Sequence, residues 1–336
     1  MPEVKVSILV AARNEEASIL RCLRALDALR FPQHQLEILI GNDQSTDQTG
    51  PIVTAFIRDK PHFQLVGIHE RIGNQAGKAN VLAQLARQAT GNFLFFTDAD
   101  IAVHADWITN MLREFSNPNV GIVTGCTQIV GQGIWENCQA IEWLYAQRLL
   151  KTFNDMGLPL TAMGNNMAVR REAYEAVGGY ENLPFSVVED FLLFNEIRHK
   201  GYGSAHRFEP DVLAASLPTS DWSAWLRQRK RWMVGAMQTP WYFPALFVGQ
   251  ALFYPLLLLL AFWQPLMALT IWLGKWLLQS LHIAFVLKKF NRTDLFPYLF
   301  IFDAWAHVTA LTALIYYLLP TKIVWKDRTY NVMNNE

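Results

Sequence analysis

Between residues 243 and 319 this 336-residue chain is almost uninterrupted hydrocarbon. Three apolar stretches, 243–262, 266–287 and 295–319, follow one another, the first two broken by Gln264-Pro265. About 20 apolar residues carry a helix across a bilayer, and each stretch is long enough. Three of them after a soluble-looking region are too many for buried core helices. Residues 241–320 are therefore expected to form a membrane region of two to three helices. The middle stretch carries Lys275, Gln279 and His282. Lysine in hydrocarbon is costly, so part of this stretch is expected at the interface or lining a protein cavity.

Composition supports that division. Hydrophobic residues make up 51% of the chain and charged residues 17%, against roughly 25% charged in a soluble domain. The deficit falls in the last third, whereas residues 1–235 read as ordinary soluble sequence. Net charge is zero, which gives no basis for a nucleic-acid partner, since phosphate backbones are met with clustered positive charge. Cys22, Cys126 and Cys138 show no metal-site or disulfide spacing and are expected as free thiols. The opening segment, MPEVKVSILVAARNEE, has too short an apolar run to span a bilayer, so the N-terminal region is expected in the cytoplasm.

Basic residues bear on orientation. Arg227, Arg229, Lys230 and Arg231 place the start of the first stretch on the cytoplasmic side, and Lys288, Lys289 and Arg292 suggest a return there after two crossings. Lys322, Lys326 and Arg328 in the polar tail, 321–336, also favour the cytoplasm. Three full crossings would put that tail outside, so either one segment is re-entrant or the rule fails at the tail. The aromatic and basic segment 220–240 suits an amphipathic helix on an anionic membrane surface.

The N-terminal region alternates strands and helices. VKVSILVAA (4–12), LEILIGND (36–43), FQLVGIHE (63–70) and NFLFFTDAD (92–100) read as strands, with a fifth at 121–124. Apolar positions at helical spacing run from Ala17 to Leu29, and Lys78–Gln88 is also helical. Further helices are expected at 134–153, from Arg171, at 187–202 and at 220–235. This alternation predicts an α/β domain over residues 1–219 with a mostly parallel sheet. In such sheets ligands lie beyond the C-terminal strand ends. Polar groups recur there: Arg13, Asn14 and Glu15 after the first strand, Asp43 after the second, Asp98 and Asp100 after the fourth. A single Asp after a strand is commonly a cap or turn residue, but carboxylates at successive strand ends of one sheet are harder to explain that way. Asp98-Ala99-Asp100 can hold a hard divalent cation. Mg²⁺ prefers one or two carboxylates completed by substrate phosphates, so the pair points to a metal that arrives with a diphosphate.

These motifs together resemble the family 2 glycosyltransferases of GT-A fold. The matching elements are VSILVAARNEE (6–16), GNDQSTDQT (41–49), GKAN (77–80), TDAD (97–100), VED (188–190) and QRKRW (228–232), the last fitting Q-x-x-R-W at Gln228, Arg231 and Trp232. Within the family the chain is similar to membrane-attached members, both ceramide-glucosyltransferase-like enzymes and processive synthases of cellulose and hyaluronan type. The resemblance implies a UDP-sugar pocket from Ala11, Arg13, Glu15 and Asp43, with Lys78 beside the nucleotide. It implies Asp98 near ribose and metal, Asp100 on Mg²⁺ or Mn²⁺, and Asp190 as general base. It places Arg231 at the diphosphate and Trp232 under the acceptor. In-line attack would invert the anomeric centre.

The bland readings differ: Glu189 and Asp190 could serve only the helix dipole, Arg231 a phospholipid, Trp232 an interfacial anchor. His206 reads as a satisfied histidine more readily than a metal ligand. The expected activity is transfer of a sugar to a lipid at the cytoplasmic membrane face. A processive polysaccharide synthase is the alternative, weakened by Met163-Gly164 where the cellulose type shows Cys-Gly, and by helices expected before the catalytic domain. A non-catalytic nucleotide- or lipid-binding subunit is the third reading.

Overall fold

A computed structural model describes residues 5–325 and 328–330. Met1–Val4, Lys326 and the end of the tail, to which the readings of the N-terminus and tail extend, lie outside the described residues. The strands are β1 (Val6–Ala12), β2 (Leu36–Asn42), β3 (Phe63–Gly67), β4 (Phe93–Asp98), β5 (Val120–Thr124), β6 (Thr127–Ile129), β7 (Asn166–Arg170), β8 (Gly203–His206), β9 (Ala214–Ser216), β10 (Ile323–Trp325) and β11 (Arg328–Tyr330). The helices of the first part are α1 (Ile19–Asp27), α2 (Thr49–Ile57), α3 (Gly77–Gln88), α4 (Trp107–Leu112), α5 (Ile134–Asp155), α6 (Arg171–Ala176), α7 (Gly179–Asn182) and α8 (Glu189–His199). They are followed by α9 (Trp222–Ala236), α10 (Tyr242–Trp263), α11 (Pro265–Lys289) and α12 (Leu299–Leu318). The chain forms two compact units, Met1–Gln128 with Leu150–Leu217, and Ile129–Leu149 with Pro218–Glu336.

The first unit is built on a seven-stranded sheet of order β3-β2-β1-β4-β7-β5-β8. All neighbours are parallel except β7, which runs antiparallel to β4 and β5. The central strands are apolar on both faces because helices cover both: Ile8, Leu9, Val10, Leu94, Phe95 and Phe96 are all fully buried. Gly41 of β2 is required by close packing, since a Cβ there would lie 2.3 Å from Val81 Cγ1 of α3. The antiparallel course of β7 matters for the site. It pairs Thr97 with Asn166, so the segment entering β7 reaches the edge where β1, β2 and β4 end. Asn166 fixes this corner from within: its side chain accepts from Trp107 Nε1 at 2.8 Å and donates to the carbonyls of Cys126 at 2.7 Å and Val212 at 3.0 Å.

The second unit contains α9 and three helices long and apolar enough to cross a membrane, spanning Tyr242–Trp263, Pro265–Lys289 and Thr293–Leu318. Pro265 occupies the first turn of α11, where its missing N–H is unneeded. The lysine in the middle stretch is paired within the protein: Lys275 of α11 contacts the buried Asp303 of α12. Tyr254 of α10 donates to the same carboxylate, and Trp272 Nε1 donates to the Tyr254 hydroxyl at 3.0 Å. The buried Asp303 carboxylate therefore ties all three helices.

The four basic residues read together on 220–240 part company. Arg227 is exposed, whereas Arg229 and Lys230 turn into the protein rather than toward a membrane surface. Lys230 Nζ donates to the carbonyls of Tyr316 at 3.3 Å and Leu319 at 2.6 Å and to Thr321 Oγ1 at 2.6 Å. It thus satisfies carbonyls that end α12 without an intrahelical partner. Burial lowers its pKa from the ordinary lysine value.

Candidate active site

The turns after β1 and β2 form one interlocked structure. Asn14 adopts a left-handed conformation, φ 52°, which asparagine tolerates better than most residues. That turns its backbone N–H toward Ser45 Oγ at 3.1 Å and its side-chain oxygen toward the Thr46 N–H at 2.9 Å. Glu15 N donates to Thr49 Oγ1 at 2.7 Å, and Glu16 N to Asp47 Oδ2 at 3.0 Å. Burial favours the neutral form of Asp47, but hydrogen bonds from Thr49 and Glu16 outweigh it and lower its pKa. Asp43, only 5% exposed, is held here by its own N–H on the Ala12 carbonyl at 2.9 Å. Arg13 Nη1 donates to the Asp43 carbonyl at 2.7 Å. Ala11 lies opposite both Gly41 and Asp98 in the strand register. Five of the sequence-derived positions, Ala11, Arg13, Glu15, Asp43 and Asp98, thus sit on the same edge.

The turn carrying Asp98 and Asp100 is pinned from α1. Arg21 Nη1 donates to the Asp100 carbonyl at 3.0 Å and Nη2 to that of Ala215 at 2.8 Å. Cys22 donates to the Asp98 carbonyl at 3.5 Å; burial, with Asp100 and Asp98 close by, raises its thiol pKa far above the ordinary value. All three cysteines are free and buried.

Charge concentrates around Lys78, in the first turn of α3. Its ammonium lies 2.6 Å from Asp98 Oδ1 and 3.0 Å from Glu189 Oε1. Its side chain is 14% exposed and that of Glu189 8%. Burial pulls the Lys78 pKa down, but Asp98, Glu189 and Asp190 more than reverse this and hold it well above the usual lysine value. Glu189 opens α8, and Asp190 follows. Asp190 Oδ2 accepts from the Gly164 N–H at 2.7 Å and Oδ1 from the Phe191 N–H at 2.9 Å. Gly164 reaches this position because it leads into the antiparallel β7. A Cβ at Gly164 would lie 2.9 Å from the Asp190 Cβ and 3.0 Å from its Oδ2. A carboxylate oxygen has two acceptor positions, so Asp190 stays able to take a proton while its orientation is fixed.

Glu189 and Gly164 are partners the sequence did not reveal. Glu189 looked like a helix-start charge, and only its 111-residue separation from Lys78 closing in space makes it a site residue. His206 lies buried in β8, where burial first and Lys151 second lower its pKa to about 4. Among the described residues no cluster of three or more His, Cys, Asp or Glu side chains could hold a metal. A cation at the end of β4 would therefore be held by Asp98 and Asp100 with oxygen from its ligand. The residues fit such an ion in one observable respect: Asp98 already binds a cation, the Lys78 ammonium.

The Q-x-x-R-W residues lie in the second unit, on α9. Gln228, Arg231 and Trp232 are each half-buried. Trp232 packs edge-on against Trp143 of α5, ring centroids 5.3 Å apart. The Arg229 guanidinium lies 4.4 Å from the Trp232 ring centroid and 5.0 Å from that of Trp225. It is ion-paired with Glu142 and donates to Gln228 Oε1 at 3.4 Å. Burial raises the Glu142 pKa against the pull of Arg229. Arg229, treated above as one of a basic group, is the residue that orders Gln228 and Trp232.

The sequence profile of glycosyl transferase family 21 matches residues 5–336. The chain belongs to that family. A β-monoglucosyldiacylglycerol synthase of Synechocystis is 27% identical over 243 residues, covering 71% of this chain and 49% of that protein. A poly-β-1,6-N-acetyl-D-glucosamine synthase of Staphylococcus epidermidis is 27% identical over 233 residues, covering 68% of this chain and 54% of its own length. The chain spans about half the length of the curated relatives it matches. A Pyrobaculum calidifontis mannosyltransferase, solved with GDP-mannose and Mn²⁺, has the same fold: TM-score 0.57, 22% identity, over 90% of this chain and 87% of that one. The family 21 chain thus has the GT-A architecture expected from its motifs, with apolar C-terminal helices suited to a membrane.

Proposed function

We propose that this protein is an inverting glycosyltransferase that moves a sugar from a nucleotide-sugar, a UDP-sugar in the favoured case, to a lipid acceptor at the cytoplasmic face of a membrane. The carrying observation is Asp190: a carboxylate oriented by the Gly164 N–H at 2.7 Å, on the edge that also holds Asp98 and Lys78. In this reading residues 1–219 are the catalytic domain, 220–240 the segment carrying the acceptor-side motif, and 241–320 the membrane anchor. Ala11, Arg13, Glu15 and Asp43 line the nucleoside, and Lys78 stands beside the phosphates. Asp98 and Asp100 would hold Mg²⁺ or Mn²⁺, which would offset the charge building on the departing diphosphate. Asp190 takes the proton from the acceptor hydroxyl as its oxygen bonds to the anomeric carbon and the bond to the diphosphate breaks. Attack from the face opposite the leaving group inverts the centre. Base catalysis of this kind contributes about 10²–10⁴ in rate. By resemblance to the Q-x-x-R-W motif, Arg231 would be assigned to the diphosphate and Trp232, which Arg229 orients, to the acceptor. The diacylglycerol-directed relative and the three apolar helices support a lipid acceptor.

Processive synthesis is the second reading, favoured by the complete Q-x-x-R-W pattern and the poly-N-acetylglucosamine relative. The test is nucleotide release by detergent-purified protein with Mg²⁺ or Mn²⁺, a panel of sugar nucleotides and total membrane lipid, beside Asp190→Asn. Release with one donor, lost in the variant and matched by a low-mass glycolipid, is the expected result. A long product on a sizing gel would favour the processive reading. Saturable UDP binding without release would instead indicate a binding subunit.

A further inference from the structure

The carboxylate pair at the end of β4 already pointed to a metal that arrives with a diphosphate; the ion-paired lysine supplies a reason for it. Asp98 is one of the two carboxylates that would share a donor-borne cation, yet an internal ammonium already sits 2.6 Å from it. That ammonium is not loosely held. Glu189, 6% exposed and rooted in the first turn of α8, grips it from the other side at 3.0 Å. Lys78 itself is anchored in the first turn of α3. We propose that Lys78, positioned by Glu189, is a resident counter-cation that keeps a free divalent ion off Asp98 and Asp100, so that metal enters only with a diphosphate. The proposal rests on the reading of this edge as the donor site.

Electrostatics supplies the reason. Asp98, Glu189 and Asp190 crowd one ammonium, and the full site with Asp100 would otherwise be strongly attractive to a bare dication. Two unit charges a few ångströms apart in a partly buried setting interact by several kcal/mol, so a dication approaching Asp98 meets the repulsion of Lys78 as well as its steric claim on Oδ1. A diphosphate changes both terms. It brings negative oxygens that the Lys78 ammonium can contact in place of Asp98, and it completes the oxygen shell of a hard cation. Glu189 keeps the lysine within reach throughout, which makes it a positioning residue rather than a metal ligand.

The experiment is a titration of Mn²⁺ into the full-length protein in detergent, reading unbound Mn²⁺ by its electron paramagnetic resonance signal, with and without UDP. Wild type, Lys78→Met and the double variant Lys78→Met/Glu189→Gln are compared. The double variant removes the charge that the single one leaves buried and unpaired. Wild type should bind Mn²⁺ weakly alone and markedly better with UDP. Either variant should bind Mn²⁺ alone on the order of tenfold more tightly than wild type, with a smaller gain from UDP. If wild type binds Mn²⁺ with UDP but, in the absence of UDP, both folded variants bind Mn²⁺ no more tightly than wild type, the counter-cation idea is wrong and the donor-site reading survives. If wild type shows no UDP-dependent Mn²⁺ binding, the metal-dependent donor site falls, and this inference with it.

Discussion

The two compact units handle buried charge in opposite ways. In the first, carboxylates gather at one sheet edge and outnumber their cation: Asp98, Glu189 and Asp190 all bear on Lys78. In the second, the inward-turned cations have designated acceptors. Arg229 has Glu142, Lys230 has the end of α12, and Lys275 has Asp303. Several carboxylates around one cation fit the proposed site, where a metal-bound diphosphate would join them. A matched set makes sense when the charge serves to join helices. Similar residue types thus meet different surroundings: several carboxylates share one ammonium in the first unit, and each cation has its own acceptors in the second.

Substitution of Asp190 by Asn tests the first half most strongly. It keeps the size and one of the two acceptor oxygens that meet the Gly164 and Phe191 N–H groups, and removes the basicity. Nucleotide release should fall by about 10²–10⁴, with an unchanged near-ultraviolet circular dichroism spectrum. Comparable release by both proteins would end the assignment of the base.

The second half is broken most directly at Lys275. Lys275→Leu leaves Asp303 buried without its ion partner and should destabilise by about 3–5 kcal/mol, read as a lower midpoint of thermal unfolding in detergent. Lys275→Leu/Asp303→Leu should recover most of that loss. A single variant as stable as wild type would mean that the pair is not architectural.

Acid sensitivity should separate the units next. The folded-state pKa of His206 is lowered from 6.5 to about 4. The unfolded chain therefore takes up a proton that the native β8 refuses. The stability it contributes is present above pH 6.5, declines as pH falls from there, and is gone below about pH 4. The linkage amounts to about 3 kcal/mol in total. His206→Phe should flatten the unfolding midpoint across this window; an unchanged profile would place the acid sensitivity elsewhere.

The smallest expected effect belongs to Gly164→Ala. The new methyl would press on Asp190 Cβ at 2.9 Å and cost about 1–3 kcal/mol as overpacking. Activity should fall more than stability does, because the shifted atom belongs to the proposed base. Equal losses in thermal midpoint and turnover would make Gly164 merely structural.

Much of this was visible in order along the chain. The alternation of buried strands and helices predicted the sheet, and Asp43, Asp98 and Asp100 stood out because strands end abruptly at them. The third strand ended sooner than expected, at Gly67 rather than residue 70, because its register with β2 stops at Asn42 opposite Gly67. The membrane helices were legible from length and apolarity, since solvent preference is a property of each segment by itself. The basic character of 220–235 was legible too, but not its division, because whether Arg229 or Arg227 meets solvent depends on what packs against α9.

Local pattern, then, determined by itself the long buried strands but not the short β6, β8 and β9, and it determined which helices can enter hydrocarbon and which carboxylates stand at strand ends. Those follow from periodicity and solvation, which act over a few neighbouring residues. Only the tertiary structure decided who partners whom. Lys78 meets Glu189 across 111 residues, Arg229 meets Glu142 across 87, and Lys275 meets Asp303 across 28. Coulomb attraction and hydrogen bonding act through space rather than along the chain. The same lysine or glutamate in sequence therefore becomes a site residue, a helix clamp or a solvated charge only once the fold has chosen its neighbours.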